Sequence, residues 1–496
     1  MEQVSRLSFS AQAMGAFIGY LVVVVLIGIM SSRFASGGIS EFFIGGRKMH
    51  RFVVALSAVV SGRSAWLLLG VTGMAYTMGA AAVWAVTGYI LAEMLLFLFY
   101  APRLRRFSEK YDCITVPDFF TARFEDKSSV LRILSVIIIT VFMISYVSAQ
   151  FVAGGKAFSA SFQIDPLLGV FITAAIVLFY TMMGGFLAVS LTDVVQGIFM
   201  ILALILIPVL AIADRGGLGL VLQELAQIKL SLIDPFALSL GAWVGFLGIG
   251  LGSPGNPHII ARYMSIAQPD QLRYSAIVGT IWNVVMAWGA LFIGLVGRVY
   301  FPEVSLIPGS DTENLYPVLA QQHLQPVLFG MVIASIFAAI MSTADSQLLV
   351  AASAIVRDLY EKIIFSHKKI SHRKLVIYSR IVVIILVILA LGMGLMAQRQ
   401  IFWLVLIAWA GLGAAFGPTS ILALFWRKTT RAGIIAGMIS GTLTTVIWYY
   451  TPSLKMHLYE LVPAFALSTA VTIFVSLLTR KPDQTNDFFS TMSRPQ

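Results

Sequence analysis

Residues 341–349 read MSTADSQLL, and this polar stretch interrupts a run of apolar residues that extends from Val327 to Ile355. Hydrocarbon cannot solvate hydroxyl and carboxylate groups at the depth of a bilayer, so these side chains must face a protein interior or a watery cavity. Four side chains are of this kind: Ser342, Thr343, Asp345 and Ser346. Neutral oxygens beside one acid suit a hard cation such as Na+, which takes oxygen ligands. The stretch therefore predicts an ion-coupled membrane transporter.

The composition is that of a membrane protein. Hydrophobic residues make up 58% of the 496 residues and charged residues 11%, whereas soluble domains carry about 25% charged residues. The mean hydropathy is +0.89. Because a spanning helix needs about 20 apolar residues, we predict thirteen spans: 12–32, 52–76, 82–101, 131–154, 166–183, 192–213, 236–261, 275–299, 326–356, 375–396, 401–425, 432–450 and 458–478. The fold class expected is an all-α integral membrane protein with one transmembrane domain over 1–496.

The net charge of +11 does not indicate nucleic acid as a partner, because the distribution of the basic residues is that of a chain oriented in a membrane. Alternate loops between the predicted spans differ sharply: one set holds 25 of the 34 Lys and Arg residues, and the opposite set holds 7. Cytoplasmic loops are the basic ones in membrane proteins. We therefore predict a multi-pass protein of the plasma membrane (the inner membrane of a bacterium), with the N-terminus outside and the C-terminus in the cytoplasm.

Two predicted spans are interrupted. The second contains SGRS at 61–64, and the seventh contains GIGLGSPGNP at 248–257. Glycine is flexible and proline removes a backbone donor, and non-helical backbone survives at membrane depth only inside protein or beside a cavity. Unwound turns of this kind expose carbonyl groups that can hold a cation and helix ends that can hold a charged solute.

The sequence contains few of the residues and motifs that form metal sites and enzyme active sites. The single cysteine, Cys113, excludes a disulfide within the chain, and the six histidines are scattered without ligand spacing. No nucleotide-binding fingerprint such as a P-loop is present. We therefore expect a protein that is not an enzyme, with a small solute and the lipid bilayer as its partners and no obligatory protein partner.

Seven motifs, in their order and spacing, resemble those of the sodium:solute symporter family, most closely its sodium/proline branch. They are FFIGGR at 42–47, ALSAVVSGRSAWLLLG at 55–70, TVPDFFTARFEDKS at 115–128, GGFLAVSLTDVVQ at 184–196, NPHIIARYM at 256–264, MSTADSQLL at 341–349 and WAGLGAAFGP at 409–418. The resemblance implies two inverted five-helix repeats, here approximately 52–213 and 236–425, that work by alternating access. It leaves 12–32, 432–450 and 458–478 as flanking helices and implies Na+ as the coupling ion.

The resemblance also implies a cation site where the second and ninth spans meet. Its ligands would be three backbone carbonyls and two hydroxyls: Val60, Arg63, Ala339, Ser342 and Thr343. The resemblance further implies a functional acid in the GGFLAVSLTDVVQ motif, which is Asp193 here, and Ser346 is expected to share with it an inner station on the path of the cation. Back-bonding of the two hydroxyls to their own helix is the alternative.

The chain departs from the proline branch beside this site. Gly62 stands where that branch typically has an acid, and Arg63 stands where it has a neutral apolar residue. A guanidinium stays protonated and cannot lie unpaired in a dry interior. Three interpretations follow: Arg63 pairs with an intramembrane acid, Glu93 or Asp345; it binds a carboxylate of the solute; or it replaces the cation.

The expected solute site combines the first broken span with three other positions. It comprises Gly62, Arg63, Ser64, Ala65, Tyr146, Ile249 and Ser253. Tyr146 retains an aromatic of the proline branch, whereas Ile249 and Ser253 replace two others. The sequence therefore favours sodium-coupled uptake of proline or another small amino-acid-like solute. The alternatives are a sodium-independent or proton-coupled transporter of a small carboxylate or amino acid, and a membrane solute sensor.

Overall fold

The structure, a computed structural model, describes residues 10–32, 38–366, 370–396, 401–479 and 489–492, and in these residues it contains helices and no β-strand. The α-helices, in chain order, are α1 Ala11–Ser32, α2 Ile39–Ile44, α3 Arg51–Ala65, α4 Thr72–Met78, α5 Val83–Leu95, α6 Ala101–Lys110, α7 Val116–Arg123, α8 Val130–Phe162, α9 Pro166–Asp214, α10 Leu218–Ile228, α11 Leu240–Leu247, α12 Pro257–Ser265, α13 Leu272–Tyr300, α14 Leu315–His323, α15 Pro326–Ser353, α16 His372–Met396, α17 Ile401–Phe425, α18 Arg431–Tyr450, α19 Pro452–Lys455 and α20 Leu461–Leu478. The prediction of an all-helical membrane protein is confirmed for the described residues.

Ten helices in the described part of the chain are long and apolar enough to cross a membrane, judged by length and composition. The predicted number of thirteen is not confirmed by this criterion, for three reasons. The segments 52–76 and 82–101 lie in one helical stretch, Arg51–Lys110; 166–183 corresponds to a shorter apolar helix, Pro166–Met182. The predicted span 236–261 is divided into short helices that are separated by irregular turns.

The first predicted break is confirmed at Ser64, which has φ 34° and ψ −175° at the end of α3. The chain then continues as π-helical turns, Trp66–Val71, into α4. A positive φ is unfavourable for a non-glycine residue, and backbone groups released by a break need new partners. Here the N–H of Ala65 donates to Oε1 of Gln150 over 3.1 Å, and the N–H of Trp66 donates to Oγ of Ser64 over 3.1 Å.

The second predicted break is confirmed between α11 and α12. Residues Gly248–Gly255 form tight 3₁₀ turns, and Asn256 is extended, with φ −94° and ψ 107°. The turns are held against α17, because Nε1 of Trp409 donates to the carbonyl of Ile249 over 2.8 Å. A Cβ at Gly252 would lie 2.0 Å from the same Nε1 atom, so this close approach requires glycine.

A third bend lies within α9 at Gly185, which has φ 60° and ψ −170°. Only glycine adopts such a conformation readily, and a Cβ at Gly185 would meet the ring of Phe42 at 2.9 Å. The bend divides α9 into two apolar parts, which agrees with the two separate spans predicted for 166–183 and 192–213.

Helix α15 is at the centre of the molecule. Its side chains are buried almost without interruption from Val332 to Ser353, and it packs against α1, α3, α8 and α9. Helices α18 and α20 pack against each other and against α17 at the periphery. Small residues allow such close helix packing in membranes, and α15 is rich in Ala and Ser. The polar MSTADSQLL stretch thus faces protein rather than lipid.

Candidate ion and solute site

The broken end of α3 and the polar stretch of α15 are in direct contact. Oγ1 of Thr343 donates to the carbonyl oxygen of Ser61 over 2.9 Å. Oγ of Ser342 donates to the carbonyl of Ala339 over 3.1 Å, which is the back-bonding within α15 that was considered as the alternative, whereas Thr343 reaches across to α3. All of these residues are buried. Two hydroxyl oxygens and several carbonyls at a helix break form an oxygen donor set that fits a hard cation.

The predicted carbonyl ligands lie in the same region of α3 and α15. The carbonyl of Arg63 accepts the N–H of Trp66, and that of Ala339 accepts the hydroxyl of Ser342. A carbonyl oxygen has a second lone pair for a cation. The ligand roles of these carbonyls, and of Val60, stay predictions.

A second polar cluster surrounds Asp193 on α9, at the side of Ser61 that faces α12. Oδ2 of Asp193 accepts the hydroxyl of Ser57 over 2.6 Å and that of Ser61 over 3.2 Å. It also lies 3.1 Å from Nη2 of Arg262. Oδ1 of Asp193 has no hydrogen-bond partner in the described residues. The cluster thus contains a buried carboxylate with an unused oxygen.

Ser346 connects this cluster to the polar stretch. Its hydroxyl lies 2.7 Å from the carbonyl of Ser342 and 3.3 Å from the hydroxyl of Ser61, and it contacts Arg262. It also lies 3.1 Å from Oδ1 of Asp345. Asp193 and Ser346, predicted to share one station, both contact Ser61 and Arg262.

Arg63 is paired with Glu93 on α5. Nη2 of Arg63 contacts Oε2 of Glu93, and Nε donates to Oδ1 of Asn283 over 2.7 Å. Asn283 in turn donates to Oε2 of Glu93 over 2.7 Å, and the guanidinium carbon lies 3.7 Å from the ring centroid of Tyr89. Of the two acids considered as partners, Asp345 is the wrong one, because its carboxylate lies beside Ser346.

A small internal cavity of ≈ 10 Å³ lies beside Arg63. Its walls are Gly62, Arg63, Trp66, Tyr89, Tyr146, Ile249, Val405, Leu406 and Trp409. This volume holds about one water molecule. A solute of the size of proline could therefore enter only if the surrounding side chains moved apart.

The structure brings four of the seven predicted solute residues to this cavity: Gly62, Arg63, Tyr146 and Ile249. The other three do not line it. The hydroxyl of Ser64 and the N–H of Ala65 form hydrogen bonds that stabilise the break in α3. Ser253 is buried within the 3₁₀ turns.

Three residues of the site escaped the sequence reasoning. Arg262 lies just beyond the seventh predicted span, 236–261, and in the structure it is 1% exposed and bound to Asp193. Asn283 and Tyr89 lie within apolar spans. A lone Asn in a spanning helix is a signal that could have identified Asn283, because an amide at membrane depth needs a partner.

Comparison with known proteins agrees with this geometry. The family model described as the sodium:solute symporter family matches residues 42–441. The chain belongs to the sodium:solute symporter family. It is 38% identical over 477 residues to the sodium/proline symporter of Staphylococcus aureus (strain JH9), and the match covers 93% of this chain and 92% of that protein.

Two solved structures share the fold. A Na+-coupled sialic acid symporter in a substrate-bound outward-open state is similar with a TM-score of 0.82 and 21% identity, over 96% of this chain and 100% of that one. Mhp1, a nucleobase-cation-symport-1 family transporter, is similar with a TM-score of 0.56 and 11% identity, over 91% and 98% of the two chains.

Membership of this family confirms three expectations. The protein is a multi-pass membrane transporter of a small solute, it belongs with transporters rather than enzymes, and Na+ is the coupling ion of the family.

Proposed function

We propose that this protein performs sodium-coupled uptake of proline or a closely similar small amino-acid-like solute. The observation that carries the proposal is the hydrogen bond from Thr343 to the carbonyl of Ser61, with Ser342 one residue away. It joins the broken helix to the polar stretch through oxygen atoms, so one cation bound there would hold the two elements together. A cation that stabilises the solute-binding arrangement raises solute affinity, and the coupling is reciprocal.

In this proposal the chain crosses the membrane thirteen times, with core repeats at 52–213 and 236–425 and its N-terminus outside. The cation binds first at Val60, Arg63, Ala339, Ser342 and Thr343, and leaves through the inner station at Asp193 and Ser346. The position of Ser61 supports this path, because its carbonyl accepts the hydroxyl of Thr343 while its own hydroxyl contacts both Asp193 and Ser346.

We assign Arg63 to the carboxylate of the solute, with Glu93 as its fixed partner. Glu93 and Asn283 engage Nη2 and Nε, whereas Nη1 has only a long contact of 3.4 Å with the carbonyl of Gly62. Two further buried donors of the cavity, Nε1 of Trp66 and the hydroxyl of Tyr89, have no partner in the described residues. Donors without acceptors suit an anionic group of a ligand.

Replacement of the cation by Arg63 receives no support from these contacts. The guanidinium group points to α5 and α13, where Glu93, Tyr89 and Asn283 lie, and makes no contact with Ser342 or Thr343. A charge that substitutes for Na+ would lie against those two hydroxyls.

Proton coupling is the second candidate, and one observation favours it. The inner cluster brings two buried carboxylates, Asp193 and Asp345, near one guanidinium, Arg262. Ionised groups in a dry interior need charge balance, which either a cation or a proton can supply.

Uptake into proteoliposomes distinguishes the two candidates. Labelled proline, glycine betaine and small monocarboxylates are offered at pH 6 and pH 8, with an inward gradient of Na+ or of K+. Sodium coupling gives accumulation with Na+ at both pH values and none with K+. Accumulation with K+ that follows the pH gradient would replace the proposal with proton coupling.

A further inference from the structure

A second and larger cavity lies at one end of the molecule. It is lined by the start of α11, the start of α17 and the segment that follows α18. Its volume is ≈ 480 Å³. Ile249 and Leu406 line both this cavity and the small one beside Arg63. We call it the vestibule, because it shares these two side chains with the candidate solute site.

The buried acid Glu460 lines the vestibule. The residue is 1% exposed, and neither carboxylate oxygen has a hydrogen-bond partner in another of the described residues. A buried carboxylate is costly unless a cation lies nearby, and here the ammonium group of Lys455 attracts the Glu460 carboxylate.

Aromatic rings in the same cavity already accept an ammonium group. Nζ of Lys455 lies 3.7 Å from the ring centroid of Tyr449 and 5.5 Å from that of Trp403. All three residues line the vestibule. Aromatic faces attract cations and repel anions, because their quadrupole is negative over the face.

We propose that the vestibule is a binding site for a small organic ammonium group, held by the carboxylate of Glu460 and the faces of Tyr449 and Trp403. The ligand displaces the ammonium group of Lys455, which occupies the rings in its absence. This site is separate from the central one, and the inference does not depend on the proposed function. The ammonium group can belong to a transported solute or to an effector that stays outside.

The test uses choline and the full-length protein in nanodiscs, with isothermal titration calorimetry at constant ionic strength. The titration is run at pH 8. Choline binds to the wild type, and Glu460→Gln weakens binding by about tenfold or more, because the carboxylate supplies the opposite charge. Glu303→Gln, which changes an exposed acid of an outer loop, leaves binding unchanged.

Lys455→Met provides an independent readout if Glu460→Gln fails to fold. It strengthens choline binding several-fold, because the rings no longer hold a resident ammonium group. The inference is overturned if the wild type does not bind choline, if Glu460→Gln binds it equally well, or if Lys455→Met does not strengthen binding.

Uptake of labelled choline into proteoliposomes then separates the two sources of the ligand. Accumulation identifies a transported cation, and binding without accumulation identifies an effector. Both outcomes support the site.

Discussion

The hydroxyl of Thr343 on α15 is hydrogen-bonded to the carbonyl oxygen of Ser61 on α3, although 282 residues separate the two in sequence. This bond joins the longest polar stretch of one helix to the broken end of another. A ligand that adds bonds at this junction favours the arrangement in which the two helices are together.

Thr343→Ala removes one predicted oxygen ligand, whereas Thr343→Ser keeps it. We expect the alanine variant to raise the Na+ concentration for half-maximal uptake by about tenfold, which corresponds to roughly 1.4 kcal/mol. The serine variant should stay within about twofold of the wild type. Thr419→Ala is the matched control, because this buried threonine bonds only to its own helix. An identical sodium curve for Thr343→Ala would remove Thr343 from the cation site.

Glu93→Gln leaves the guanidinium of Arg63 buried without an opposite charge. Breaking a buried pair costs about 3–5 kcal/mol, so we expect a large fall in the melting temperature of the purified protein. The double variant Arg63→Met with Glu93→Gln should recover much of that loss, since no unbalanced charge remains. Glu224→Gln is the control, because its pair with Arg215 is partly exposed and such pairs contribute about 0–1 kcal/mol.

Arg63→Met alone tests the carboxylate role. We expect the affinity for a carboxylate-bearing solute to fall by at least about tenfold, because a charge-assisted hydrogen bond is lost. The melting temperature should fall as well, since Glu93 then lacks its cation. Binding is therefore measured at a temperature at which the variant is folded. A variant that binds solute as tightly as the wild type would make Arg63 purely structural.

Asp193→Asn keeps the shape of the side chain but removes the charge that faces Arg262. We expect uptake to fall by tenfold or more and the sodium requirement to rise. Asp165→Asn is the control: it changes an exposed acid that caps the start of α9, and its effect should be limited to about 1 kcal/mol of stability. Uptake by Asp193→Asn at the wild-type rate would exclude Asp193 from the cation path.

Gly252→Ala tests the close approach of the 3₁₀ turns to α17. The new methyl group would lie 2.0 Å from Nε1 of Trp409, so the turns must move away from that helix. We expect loss of the folded protein or of uptake. Gly219→Ala, on the open face of α10 with nothing within 4 Å of the new Cβ, should be neutral or stabilising by about 1 kcal/mol.

Labelling with a membrane-impermeant maleimide tests the orientation of the chain. Native Cys113 is 1% exposed, and burial raises the pKa of its thiol well above the usual value, so the folded protein should react very slowly. Glu303→Cys should react in intact cells, and Lys428→Cys only after permeabilisation. The reverse pattern would invert the proposed topology.

The sequence alone determined the class of protein, the helical fold, the two breaks and the polar stretch of α15. These properties depend on local composition: an apolar run of sufficient length spans a membrane, and a Gly- and Pro-rich turn within it cannot stay helical. The resemblance carried by its motifs also predicted the family, which was confirmed.

Only the tertiary structure decided which charges meet. Arg63 had two candidate acids, and it lies against Glu93 because α5 packs beside the break, whereas Asp345 lies on the side of Ser346. Asn283 is 220 residues from Arg63 in sequence, and Arg262 lies just beyond the seventh predicted span but binds Asp193 of α9. The sequence shows that a buried charged or polar side chain requires a hydrogen-bond or ion-pair partner. It does not show which residue is that partner, because the partner lies on a helix that is distant in sequence and is brought close only by helix packing.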